Sequence, residues 1–129
     1  MTAHPNVELL RGIYADLTTT GKYCAEDVVL HPATRSVDAS AADVVGRDAV
    51  QAWEEGLVKA TSDTIVMDVQ TIVANDAFGA VLGTLKASFG DTDFSGSFCG
   101  LWRFRDGLVV EHWENIYDPA LLHSVIADA

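Results

Sequence analysis

Two groups of residues in this sequence have the types and spacing of acid–base chemistry. His31 immediately precedes Pro32. A residue before proline is pushed towards extended backbone, so the imidazole is held in one direction. Histidine titrates near about 6.5 when unperturbed and serves as a proton shuttle at neutral pH. It also reads as a half-buried structural histidine satisfied by one backbone carbonyl. The second group is the run Val109-Val110-Glu111-His112-Trp113-Glu114-Asn115-Ile116. On a strand, alternation puts Val110, His112, Glu114 and Ile116 on one face, and Val109, Glu111, Trp113 and Asn115 on the other. Glu114 in an apolar hollow would be desolvated and its pKa raised, which suits a general acid or base. If the opposite face lines the hollow, Glu111, Trp113 and Asn115 take over as candidates, and the alternation alone leaves both faces open. Phe98, Trp102 and Phe104 alternate on the preceding apolar segment. They form either simple core or an aromatic wall for a flat apolar ligand. Tyr14 could add a hydroxyl to that wall, and Trp53 a second indole.

The elements that must position these residues are read from periodicity. Residues 6–19 carry Val7, Leu10, Ile13, Tyr14 and Leu17 at helical spacing, with Asn6 as a candidate N-cap. Thr18-Thr19-Thr20-Gly21 ends that helix. Residues 23–30 read as one or two helical turns leading into a strand. Residues 33–45 show no period and read as a loop over a cavity mouth. Gly46 opens a third helix over about 47–60, with Val50, Trp53, Leu57 and Val58 as its apolar stripe and Glu54, Glu55 and Lys59 on its wet side. From Asp63 the period changes to two, and strands are expected at 64–74, 78–89, 94–105 and 108–117, followed by a helix at 120–126. Asp106-Gly107 is a strong hairpin signal. Helices followed by strands indicate an α+β domain spanning 1–129: a cone-shaped, curved antiparallel sheet wrapped around three N-terminal helices.

Composition removes several classes of function. A length of 129 residues with 49% hydrophobic content supports one globular core without a metal or disulfide staple. The formal charge of −11 repels phosphate backbones, so neither nucleic acid nor an anionic membrane is an expected partner. Cys24 and Cys99 are expected as reduced thiols. Met1 to Asn6 shows neither a basic nor an apolar leader segment, and no apolar run approaches the ~20 residues of a membrane span, so a soluble cytoplasmic protein is expected. No nucleophile elbow or glycine-rich phosphate loop occurs. His112 and Glu114 alone are too few ligands for a metal, so neither metal nor cofactor is expected.

Three stretches carry a family resemblance: Tyr23 to Pro32, Val45 to Val50, and Leu101 to Glu114, above all the R-F-x-D-G-x-x-x-E-H-W pattern of Arg103 to Trp113. Together they resemble the SnoaL-like polyketide cyclases of the nuclear transport factor 2-like (ketosteroid isomerase-like) superfamily. The resemblance implies a cone of helices on a curved sheet, often dimerised through the outer sheet face, here Leu101, Val109 and Trp113. It implies an acid–base role for His31, before the proline that follows the second helix, and for Glu114, after the E-H-W triplet. It matches the pocket-facing positions of the last strand to His112, Glu114 and Ile116, which favours that face. Gly100 falls where isomerase relatives keep an oxyanion-binding aspartic acid and cyclases tend to have histidine. Tyr14 is one position from the isomerases' catalytic tyrosine, so that role is not carried over.

The resulting expectation is a small cofactor-independent enzyme acting on an apolar, cyclic carbonyl compound by aldol-type cyclisation or a related isomerisation or dehydration. His31, Glu114 and His112 are its expected catalytic groups. Tyr14, Trp53, Phe98, Trp102, Phe104 and Ile116 are its expected substrate-binding wall. The alternative is a binding protein holding a small apolar ligand in the same cavity without chemistry. The superfamily's diversity of reactions leaves the choice to the site itself.

Overall fold

The computed structural model describes residues 3–128, so Met1 and Thr2 of the N-terminal leader reading lie outside the described residues. Helix α1 spans Pro5–Ala15. Pro5 suits the first turn, and the N-cap is His4 rather than Asn6: its Nδ1 accepts the Asn6 N–H at 3.0 Å. The helix stops one turn earlier than its periodicity suggests, because Asp16 is extended and its carboxylate accepts the Thr18 N–H of a 3-10 helix over Leu17–Tyr23. Gln51 braces that segment by accepting from the Gly21 N–H at 2.6 Å and donating to the Thr18 carbonyl. Three threonines and a glycine form a poor α-helix, and side-chain bonds replace the missing ladder.

The expected second helix is not present. Cys24–His31 is strand β1, and β2 is the short pair Val44–Val45. Strand β1 lies between β2, antiparallel, and the last strand, parallel. The β-branched pair Val28-Val29 fits that setting, where neighbours on both sides outweigh local helical preference. Helix α2 spans Arg47–Ala60. Strands β3 (Val66–Ala74), β4 (Phe78–Phe89), β5 (Thr92–Arg105) and β6 (Leu108–Trp113) follow, then α3 (Pro119–Ala127), capped by the Asp118 carboxylate on the Leu121 N–H.

The sheet is a curved, unclosed six-stranded one in the order β2-β1-β6-β5-β4-β3, so the architecture is α+β with two strands and one parallel pairing beyond the sequence expectation. The β5–β6 hairpin turns at Asp106-Gly107, both at positive φ, as the Asp-Gly signal requires. Its ladder is bulged: Arg103 pairs with Glu111 but Phe104 pairs with Val109. The extra residue, Val110, switches the side-chain alternation. Val109 is therefore fully buried and does not join Leu101 and Trp113 on the outer face. The core is built from Leu10 and Ile13 of α1, Val28 and Leu30 of β1, Val50 of α2, and Val81, Phe94, Phe98, Trp102 and Val109 of the long strands. Among the described residues, no helix is long and apolar enough to cross a membrane. Both cysteines are free thiols. Cys24 is buried, and desolvation pushes its thiol up to about 12.

Candidate functional site

A cavity of about 760 Å³ lies between the sheet and the helices. Its walls include Ile13, Tyr14, Leu57, Met67, Phe98 and Trp102. Ala33, Thr34, Asp38 and Ser40–Ala42 of the segment between β1 and β2 line it from one side, and Leu122, His123 and Ile126 of α3 from another. His123 and Asp38 approach to 3.8 Å, bridging those two elements. Arg35 pins the same segment, donating to the Pro32 carbonyl at 2.7 Å, the Glu114 carbonyl at 2.5 Å and Asn115 Oδ1 at 2.7 Å. The 33–45 stretch thus contributes to the cavity wall, as expected, although its last two residues are strand β2.

The last strand resolves in favour of the His112 face. His112, Glu114 and Ile116 line the cavity. Glu114 is half-buried and lines the cavity. Its Oε1 accepts the Ala33 N–H at 3.1 Å, and its Oε2 the Trp53 indole N–H at 3.4 Å. Desolvation pushes its pKa up to about 7, against the opposing pull of those two donors and Arg35. His112 stacks on Trp102, ring centroids 3.5 Å apart, because the two are direct cross-strand partners. The Leu101 carbonyl, 2.9 Å from Nδ1, can only accept, so Nδ1 carries the proton and Nε2 keeps its lone pair. Burial lowers this imidazole to about 3, so it is neutral at pH 7.

The structure adds a residue that the sequence reading placed on the wet side of its helix. Glu54 is only 4% exposed and lines the cavity. Glu54, His112 and Glu114 each offer a donor atom within 4.8 Å of the others. Desolvation first, and then repulsion from Glu114, hold the Glu54 carboxyl well above the usual carboxylate range. Among the described residues, no hydrogen-bond donor reaches it. Two carboxyls this close cannot both ionise cheaply, so an ionised Glu114 favours the protonated form of Glu54. The set has donor types a divalent cation accepts, but three ligands leave any such shell open. The signal for Glu54 lay in its spacing: Val50, Glu54 and Leu57 follow i, i+4, i+7, so Glu54 sits at the centre of the apolar stripe.

The expected wall is mostly assembled. Tyr14 stacks on Phe98 at 5.6 Å and meets Trp102 edge-on at 5.8 Å, and its Oη accepts the Trp102 indole N–H at 3.2 Å. Trp53 and Ile116 also line the cavity. Phe104 does not: it is buried in the core, where its ring approaches Gly79 beside Leu10. A side chain at Gly100 would collide with Tyr14 Oη and lie 3.1 Å from Trp102 Nε1. The space beside Gly100 is therefore taken by Tyr14.

His31 is not brought into this cavity. Its Cα is in register with Trp113, whose side chain points to the opposite sheet face, and the two rings stack at 5.4 Å. Its Nδ1 pairs with Asp43 Oδ1 at 2.8 Å and its Nε2 with Glu111 Oε2 at 2.7 Å. Desolvation alone would lower its pKa; bonds to Glu111 and Asp43 outweigh it and raise the value. Because side chains alternate along β1, only a shift of one residue would have turned His31 inward.

The comparisons with known proteins agree with this architecture. The sequence profile of the SnoaL-like domain matches residues 14–112. Among curated proteins, no sequence match is found. Similar solved structures include Bal32a from a soil-derived mobile gene cassette, at 22% identity and a TM-score of 0.82, covering 95% of this chain and 97% of that one. An NTF2-like protein of unknown function from Burkholderia pseudomallei K96243 shares 22% identity at a TM-score of 0.78, covering 95% and 98% of the two chains. IdmH from Streptomyces antibioticus, a candidate polyketide cyclase, shares 21% identity at a TM-score of 0.70, covering 95% and 98%. With a matched profile over most of its length and the NTF2-like cone in its structure, this chain belongs to the SnoaL-like domain family.

Proposed function

We propose that this protein catalyses proton transfer next to a carbonyl group of an apolar, ring-bearing compound, leading to aldol-type ring closure or a related isomerisation or dehydration. The observation that carries the reading is the Glu54–Glu114 carboxyl pair in the wall of an otherwise apolar cavity. One proton on the pair supplies one base and one acid at neutral pH. Glu114, as carboxylate, removes a proton alpha to the carbonyl. Glu54, as the acid, donates a hydrogen bond to the developing enolate oxygen. The enolate carbon then attacks a second carbonyl, forming the C–C bond, and the new alkoxide takes the proton held by the pair. Neutral His112, on its Trp102 shelf, offers an acceptor beside the two carboxyls. The candidate cyclase IdmH shares the fold and supports the class of reaction. His31 has no part in these steps.

Deuterium exchange tests the proposal without knowledge of the natural substrate. Apolar ring ketones such as 1-tetralone are incubated in D₂O and followed by proton NMR. The expected result is faster loss of the alpha-proton signal with wild type and a fall to background with Glu114→Gln. Equal exchange with both proteins sinks the mechanism.

The second reading is a binding protein without chemistry. It is favoured by Gly100, beside which Tyr14 and Trp102 fill the space and no further acid projects. A ligand recovered unchanged from the cavity after prolonged incubation distinguishes the two. We also propose pairing of two copies through the outer sheet face, where Val73, Phe78, Leu82 and Leu101 are exposed. A single monomeric mass by light scattering at micromolar concentration contradicts it.

A further inference from the structure

We infer that the ligand of this cavity carries a protonated amine, which is seated on Glu54 between the aromatic walls. The inference rests on the cavity proposed above as the reaction site and names the class of molecule it takes. Three independent features of the cavity point the same way.

The first is the distribution of charge. Three carboxyls line the cavity, Glu54, Glu114 and Asp38, yet among the described residues no lysine or arginine does. Arg35, the cation that acts on Glu114 electrostatically, spends its donors on backbone carbonyls and Asn115. The other titratable groups facing the pair are Tyr14 from α1 and neutral His112 from β6, with His123 beside Asp38 on the cavity wall. None of them supplies a fixed positive charge. An anionic ligand would meet repulsion from these carboxyls, and a neutral ligand offers Glu54 a hydrogen bond but no compensating charge.

The second is the asymmetry within the pair. Glu114 is held by two N–H donors, from Ala33 and Trp53. Glu54 is nine-tenths buried, turned to the cavity, and without a donor among the described residues. The Glu54 oxygens open onto the cavity, and a carboxylate in so apolar a space is costly unless a donor on the cavity side completes it. An ammonium N–H does so.

The third is the wall. Tyr14, Trp53, Phe98 and Trp102 line the same space, and aromatic faces attract organic cations while accepting apolar rings. A hydrated metal ion makes no use of such walls; an amine attached to a ring system uses both walls and carboxyl. The net charge of −11 also favours approach of a cation.

The consequence for the reaction is a division of labour. In the empty cavity the pair holds one proton between two carboxyls. When the ammonium arrives, its positive charge replaces that proton, which leaves to solvent. With such a substrate Glu54 is the counter-ion, the ammonium N–H takes over from the Glu54 proton as hydrogen-bond donor to the developing enolate oxygen, and Glu114 remains the base.

Calorimetry on the intact chain at neutral pH tests this with three matched probes: 1-naphthylmethylamine, 1-naphthylmethanol and 1-naphthoic acid. The amine is expected to bind at least about tenfold more tightly than the alcohol, and the acid not to bind. Repeating the amine titration in buffers of different ionisation enthalpy is expected to show proton release, a readout that needs no variant. In Glu54→Gln the preference for amine over alcohol is expected to fall to near unity, and alcohol binding by that variant shows that the cavity is intact. Equal affinity of amine and alcohol in wild type overturns the inference, as does amine binding without proton release. Stoichiometric Mn²⁺ or Zn²⁺ binding that excludes the amine overturns it in favour of a metal. Failure here is separable from failure of the proposed reaction: neutral ketones that exchange deuterium in a Glu114-dependent way leave that reaction standing whatever the amine does.

Discussion

Glu54 of α2 and Glu114 beyond the end of β6 place their carboxyls within 4.8 Å of each other inside an apolar cavity. Burial raises both pKa values, Glu114 from 4.5 to about 7, and repulsion from Glu114 adds to the rise at Glu54. A raised carboxyl pKa means that the folded state holds its proton more tightly than the unfolded chain does. Stability is thus fully present below the unfolded value and is lost as pH rises through about 7. Glu54→Gln removes one of the two charges. It is expected to stabilise the protein by on the order of 2 kcal/mol at about pH 9 and to change little at about pH 5. Urea unfolding at both pH values checks this; a variant equally destabilised at both would show that the pair is not strained by ionisation.

Glu114 as a base requires its carboxylate form, so exchange activity is expected to rise with pH through about 7 and then level. Glu114→Gln is expected to lose roughly a hundredfold or more. Trp53 donates to Glu114 Oε2 and favours the carboxylate. Trp53→Phe therefore moves the rising limb to higher pH while keeping the aromatic surface. A pH–rate profile of each variant decides; an unmoved limb in Trp53→Phe removes that indole from the positioning of Glu114.

His31 ties the strand β1 to two carboxylates on the outer face, Asp43 and Glu111. Its pKa is raised, so the stabilisation is fully present below the unfolded value of about 6.5 and is lost as pH climbs through the higher folded value. Amide exchange of residues 33–43, corrected for intrinsic rates, is expected to speed up across that rise. In His31→Ala it should be fast throughout. The same variant is expected to keep ketone exchange within about tenfold of wild type, because its ring is not in the cavity. A loss as deep as that of Glu114→Gln would restore His31 to the chemistry.

Gly100 lies where an added Cβ would meet Tyr14 Oη, Trp102 Nε1 at 3.1 Å and His112 Cε1 at 3.4 Å. Gly100→Ala is expected to push Tyr14 off the indole N–H and to cost about 1–3 kcal/mol of stability, in the range of overpacked cores. Chemical denaturation measures the cost, and the tyrosine–indole contact is followed by tryptophan fluorescence. A neutral substitution would mean that Tyr14 has room to move aside.

Much of this protein was legible in the sequence. The four long strands, the Asp106-Gly107 turn, α2 and the aromatic wall follow from period-two and period-3.6 patterning, which reports local burial directly. His112, Glu114 and Ile116 were readable as one face of a strand, and resemblance chose that face. Other features depended on neighbours distant in the chain. Cys24 to His31 carries no strong local preference and became a strand because β2 and β6 satisfy both its edges. The bulge at Val110, which sends Val109 inward, is set by pairing with β5 and leaves no composition signal. Glu54 was hidden because a charged residue is ordinarily assigned to the solvent side. Its place at the centre of the stripe Val50, Glu54, Leu57 pointed inward all along.

The sequence by itself determined which side chains could share a face, because alternation and helical pitch are properties of single elements. Only the tertiary structure decided which faces meet. It turned His31 outward to Asp43 and Glu111, brought Glu54 across the cavity to Glu114, and filled the space beside Gly100 with Tyr14. Those pairings join residues far apart in the chain. They are set by the register between β1 and β6 and by the packing of α2 over the sheet, and a raised pKa exists only once that packing has removed water from both carboxyls.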